Sequence, residues 1–112
     1  MRATGVLDGR KLMWLLLTFD LPVKTKQQAK AANKFRLFLL DQGFEMAQYS
    51  VYLRYCSGKS EAKKYIRRIS AQIPSIGKVD ILRFTDQQYE QIVSFNKGGR
   101  QERKNPSQFV LF

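Results

Sequence analysis

The absence of histidine limits what chemistry this 112-residue chain can do. Without imidazole there is no acid–base pair of the metal-free nuclease kind, no Ser-His triad and no His-ligated zinc. A single cysteine, Cys56, rules out thiolate clusters and any internal disulfide. Hydrolysis would have to rest on carboxylates with a hard metal, or on Tyr and Lys. Among the acids, Asp20 is placed most distinctively. It closes the apolar run Leu12 to Asp20, LMWLLLTFD, and Leu21 and Pro22 follow it. An acid there can be a turn-former that caps the next segment, or it can hold a metal; the residue alone leaves both open. Asp41, Glu45 and Glu90 are accounted for by helix ends and strand surfaces. Tyr49, Ser50 and Tyr52 could contact phosphate, but a place inside a strand predicts sheet packing for them. Phe35 and Phe38, at helical spacing, are expected in the core rather than as base-stacking platforms.

Charge supplies the second kind of chemistry. Twenty Lys and Arg against nine Asp and Glu give a net +11. A surplus of that size on a small domain favours a polyanion, nucleic acid before acidic protein or anionic lipid. Lys26, Lys30 and Lys34 recur at i, i+4 and i+8, and Lys63, Lys64, Arg67 and Arg68 gather within one helical stretch. A solvated face explains the first stripe adequately. Four like charges on one helical surface repel, and an anion from outside relieves them.

The apolar fraction of 44% and aromatic fraction of 12% suit one domain with a core. Leu12 to Asp20 is apolar at odd and even positions alike, which fits a strand buried on both faces or a piece of buried helix; nine residues stopped by Asp-Leu-Pro favour the strand. Thr25 with Gln28 predicts a capping box and a helix to about Gln42, with Ala32, Phe35 and Leu39 inward and Gly43 as the stop. Leu37 and Leu40 fall on a second face. Phe44 to Tyr55 predicts the longest strand, with a bulge near Ala47–Gln48 or a strong bend where the alternation slips. A second helix follows Ser57–Gly58, capped by Ser60 or Ser57, with Ala62, Tyr65, Ile66, Ile69 and Ile73 inward. Lys78 to Thr85 predicts a third strand, and Tyr89 to Phe95 a fourth beyond a turn at Asp86–Gln88.

The expected fold class is α+β, a ferredoxin-like β-α-β-β-α-β with both helices on one sheet face. Residues 1–96 are read as this domain, 97–107 as a basic flexible connector, and 108–112 as a terminal strand. A central strand apolar on both sides needs its second face covered. A sheet-to-sheet homodimer provides that cover, with Phe109, Val110, Leu111 and Phe112 adding to the partner's sheet edge. No apolar run reaches the roughly 18 to 20 residues of a membrane helix. The opening MRATGVLDGRK lacks the apolar segment of an export signal, so a cytoplasmic protein is expected.

The blocks FDLP, KFRLFLLDQGFEMAQYSVYLRY and GKVDILRFTDQQYEQIVSF, in that order, closely resemble the CRISPR-associated protein two family. The KFR-x-FLL-x-x-GF-x-M-x-Q-x-SVY block and the late basic connector look most like the form accompanying type II systems. The resemblance covers about residues 12 to 96. It implies a ferredoxin-like homodimer whose terminal strand crosses to the partner. It further implies a core subunit of spacer acquisition that bridges dimers of the integrase, CRISPR-associated protein one, and holds duplex DNA. Metal-dependent endonuclease activity on RNA or DNA is implied as well, with Asp20 at the position of the family's metal-binding acid. Mg²⁺ or another divalent cation would be the cofactor, since such ions bind through one or two carboxylates plus waters and phosphate oxygens. Lys24, Lys26, Arg103 and Lys104 fall nearest the family's DNA-backbone contacts. The alternative is a toxin-like or translation-associated ribonuclease of similar fold, which genomic neighbours would separate.

Overall fold

The structure, a computed structural model, describes residues 12–97. The central strand β1 (Met13–Asp20) forms as expected. It is followed by helix α1 (Lys26–Asp41), whose predicted cap is present: Gln28 N–H donates to Thr25 Oγ1 at 3.0 Å, and Thr25 N–H donates back to Gln28 Oε1 at 3.2 Å. Gly43, at φ +89°, turns the chain out of the helix in the left-handed region that suits glycine.

The expected single long strand at 44–55 is instead a hairpin. Strand β2 (Glu45–Gln48) and strand β3 (Val51–Cys56) are joined by Tyr49–Ser50, and the register shifts between Met46 and Gln48. The slip in the apolar alternation therefore marks both a bulge and a reversal. Helix α2 (Lys59–Ser70) is capped by Gly58, not by Ser57 or Ser60; Glu61 Oε1 accepts from the Ser57 N–H at 2.9 Å. Ile73 lies beyond its end and is exposed. Strand β4 (Lys78–Thr85) matches its predicted span.

The expected fourth strand at 89–95 is not one. Asp86–Glu90 forms a short helix α3, opened by a second capping box between Thr85 and Gln88, and residues 91–97 have no regular structure. The β-α-β-β-α-β order is thus met because 44–55 supplies two strands and 89–95 none.

The sheet is antiparallel with order β2-β3-β1-β4, so β1 sits between β3 and β4. Its odd residues Met13, Leu15 and Leu17 enter one core with Phe35 and Leu39 of α1, Tyr52 and Cys56 of β3, and Ala62, Tyr65 and Ile69 of α2. Its even residues face the other way, as strand pleating requires. There Trp14, Leu53 and Tyr89 form a second cluster, with Leu16, Tyr55 and Phe84 packed against it. The Tyr89 ring lies on Trp14 at 4.1 Å, and Trp14 Nε1–H donates to Asp86 Oδ1 at 2.9 Å, so α3 covers one end of this face. Beyond α3 the face is open: Leu82 is 52% exposed. The connector and terminal strand expected at 97–112 lie outside the described residues apart from Lys97.

Candidate functional site

Alternation along β1 decides where Asp20 faces. Phe19 packs on the helix side, edge-on to Phe35 at 5.6 Å and stacked on Tyr52 at 5.8 Å. Asp20 therefore belongs to the opposite face, in series with Trp14, Leu16 and Thr18, and it is exposed. Its register partner on β4 is Lys78, and the next same-face pair is Thr18 with Asp80. The backbone here is tightly fitted. Gly77 has φ +126°, and a Cβ there would stand 2.5 Å from Leu21 Cδ2 and 3.0 Å from the Asp20 carbonyl oxygen. The glycine lets the turn into β4 close against the end of β1, which sets the height at which Asp20 emerges. Leu21 and Pro22 then line a groove of about 530 Å³ with Thr25, Gln28, Ala32 and Ile76.

The cations fall into separate groups. Lys24 is exposed four residues beyond Asp20, with its backbone N–H held by Gln28 Oε1 at 2.9 Å. Lys26, Lys30 and Lys34 are exposed along α1. The four α2 cations do not act as one patch. Lys64 and Arg68 turn to Tyr65, at 4.9 and 5.4 Å from its ring centre, and Arg68 Nη1 donates to Gln42 Oε1 at 3.1 Å. Lys63 and Arg67 turn the other way, toward β4, where they line a shallow groove of about 450 Å³ with Ile66, Ile81 and Arg83. Arg83 was not singled out from sequence; its place beside α2 follows only from the antiparallel register. Helix cations and Asp20 occupy opposite sides of the sheet, and the structure does not bring them into one pocket. Arg103, Lys104 and Phe109 to Phe112 lie outside the described residues.

Two further residues are placed otherwise than sequence reasoning had them. Arg54 is a half-buried hub on the helix side. Its Nε donates to the Gln42 carbonyl at 2.8 Å and its Nη2 to Tyr65 Oη at 2.7 Å, while the guanidinium lies 3.8 Å from the Tyr65 ring centre. Glu61 stands 3.7 Å away. The second is Tyr49, expected to pack within a strand, which is instead at the hairpin tip and 91% exposed. Cys56 is buried, and burial pushes its thiol up against the opposing pull of Arg54, as suits an inert packing residue. Among the described residues no three His, Cys, Asp or Glu side chains gather as a metal cluster. Among the same residues no helix is long and apolar enough to cross a membrane.

The sheet order and the two helices on one face define a ferredoxin-like α+β domain, and an exposed acid stands at the end of its central strand. Residues 13–92 match the family model described as CRISPR associated protein Cas2, and the chain belongs to that family. A CRISPR-associated endoribonuclease Cas2 of Paracidovorax avenae is 48% identical over 108 residues, covering 96% of this chain and 100% of its own. The protein of the same name from Flavobacterium psychrophilum is 36% identical over 102 residues, 91% of this chain and 89% of its own. A crystal structure of Cas2 has a TM-score of 0.54 at 18% identity, covering 83% of this chain and 99% of that one, a likeness of fold.

Proposed function

We propose that the chain works as a cytoplasmic nucleic-acid-binding homodimer of the CRISPR adaptation complex, bridging integrase dimers on duplex DNA, with a divalent-metal endonuclease centre at Asp20. The observation that carries this reading is the company Asp20 keeps. It shares that sheet face with Leu82, which is half exposed, so two-fold pairing of the face would both cover this leucine and bring two Asp20 carboxylates together.

The exposed Asp20 carboxylate fits Mg²⁺, which takes one or two carboxylates and fills its remaining positions with water and phosphate oxygens. When bound, such an ion stabilises charge on the phosphate and acidifies a water. The chain's own share is to hold the carboxylate at a fixed height, through Gly77 behind it and Phe19 beside it. Lys24, at the same strand end, offers a point charge to a phosphate. Lys26, Lys30 and Lys34 carry positive charge along α1, and with Lys63, Lys64, Arg67, Arg68, Arg103 and Lys104 they would follow a backbone without reading its sequence. Relatives named endoribonucleases favour RNA as the cleaved polymer, while duplex DNA is the polymer held.

The two roles separate by mutation. In scrupulously purified protein, Asp20→Asn abolishes metal-dependent cleavage; wild-type activity in that variant removes the assignment. With the integrase subunit and a short duplex, Asp20→Ala still supports integration. Charge reversal at Lys24, Lys26, Arg103 and Lys104 weakens binding at every sequence and flattens its salt dependence. An unchanged slope excludes those four.

A further inference from the structure

Tyr49 is out of place for a residue with only a structural role. Three residues later Tyr52 is fully buried and stacked on Phe19, whereas Tyr49 is 91% exposed at the tip between β2 and β3. The turn that presents it is strained. Ser50 has φ +63°, the only positive φ outside glycine among the described residues. Asn or Gly would adopt this conformation at lower cost. Strain and an unburied aromatic ring at the same tip point to a ligand.

The tip is also tied to the acid. The Phe19 N–H donates to the Ser50 carbonyl at 3.1 Å, so the turn hangs from the residue immediately before Asp20. Strand spacing and Cα steps put the Tyr49 backbone about 10 Å from that of Asp20. An exposed ring at that end of the sheet has the chemistry to stack an unpaired base.

We infer that Tyr49 is a substrate-positioning residue that stacks an unpaired nucleobase at the Asp20 end of the sheet. This rests on the Asp20 reading above for its catalytic consequence, but not for the binding itself. A paired base keeps its faces inside the duplex stack, so the contact belongs to single strands.

The test is equilibrium binding to a short single-stranded RNA carrying one 2-aminopurine, beside a duplex of equal length, with chelator present so that no cleavage intervenes. Tyr49→Ala weakens single-strand binding about 5- to 150-fold, the range that one base–aromatic stack supplies. It leaves duplex binding unchanged and removes the quenching of 2-aminopurine. Tyr49→Phe keeps both affinity and quenching. Equal single-strand affinity in Tyr49→Ala overturns the inference, as does a matching loss on duplex or a failure of Tyr49→Phe to rescue. Because no step of this assay uses Asp20, full activity in Asp20→Asn removes the catalytic reading while leaving the stacking result to stand or fall separately.

Discussion

Arg54→Met removes the charged end of the helix-side hub while keeping much of its bulk. Three elements meet at that guanidinium: the Gln42 carbonyl that caps α1, the β3 backbone that carries Arg54, and the Tyr65 hydroxyl and ring on α2. Hydrogen bonds from charged groups contribute about 1.5 to 3 kcal/mol each, and a partly desolvated cation–π contact about 0.5 to 2. These do not add, and the side chain is still 19% exposed, so the weak 3.7 Å pair with Glu61 is screened and counts for little. The expected loss is about 2 to 4 kcal/mol, a large part of the roughly 5 to 15 kcal/mol that holds a domain folded. Arg54→Lys recovers little of it, because an ammonium cannot reach the Gln42 carbonyl and the Tyr65 hydroxyl as a fork. Urea unfolding followed by circular dichroism, at one fixed protomer concentration, reads the change as a shift in midpoint. Tyr65→Phe alone should cost about 1 kcal/mol, and a double-mutant cycle with Arg54→Met should show coupling. An Arg54→Met protein within about 0.5 kcal/mol of wild type, the range of ordinary surface changes, would refute the reasoning.

Leu82→Lys weakens the proposed pairing. Covering the half-exposed leucine contributes about 1 kcal/mol per copy, and burying an ammonium adds to the loss, so the dissociation constant rises at least about 30-fold by sedimentation, with monomer folding unchanged. Gly77→Ala forces a Cβ against Leu21 and the Asp20 carbonyl at an unfavourable φ. Stability falls by about 1 to 3 kcal/mol, and cleavage falls more than RNA binding when the two are assayed side by side. Tyr55 has its pKa raised from 10.0 to about 12, by burial first and then by Asp86 and Cys56. The folded state therefore holds this proton more tightly than the unfolded one. The stability it contributes is complete below pH 10 and is lost as pH rises toward 12, read as a falling urea midpoint over that window.

The central strand was legible because an apolar run of nine residues stopped by Asp-Leu-Pro is short for a buried helix, and both cores are built on it. Thr25–Gln28 and Gly43 were legible because capping chemistry is local. The hairpin at Tyr49–Ser50 was hidden because it lacks the Asn-Gly or Asp-Gly that announces a tight reversal, and Ser50 takes the positive φ instead. Residues 89–95 looked like a strand through Tyr89, Ile92, Val93 and Phe95. Thr85–Gln88 is a capping box of the same kind as Thr25–Gln28, and it starts a helix that places Tyr89 on Trp14. The basic run on α2 gave composition but not direction. Its division into Lys64–Arg68 beside Tyr65 and Lys63–Arg67 beside Arg83 depends on which neighbours pack on each flank. Asp20 stood out at the end of an apolar run, but its facing away from the helices required the register of β1 with β3 and β4.

Sedimentation equilibrium of the wild-type chain, with and without a short oligonucleotide, tests the account most directly. Pairing through the open face predicts a species of twice 13.1 kDa at micromolar concentration that gains mass when nucleic acid is added. A well-folded species of 13.1 kDa that ignores the oligonucleotide would contradict it.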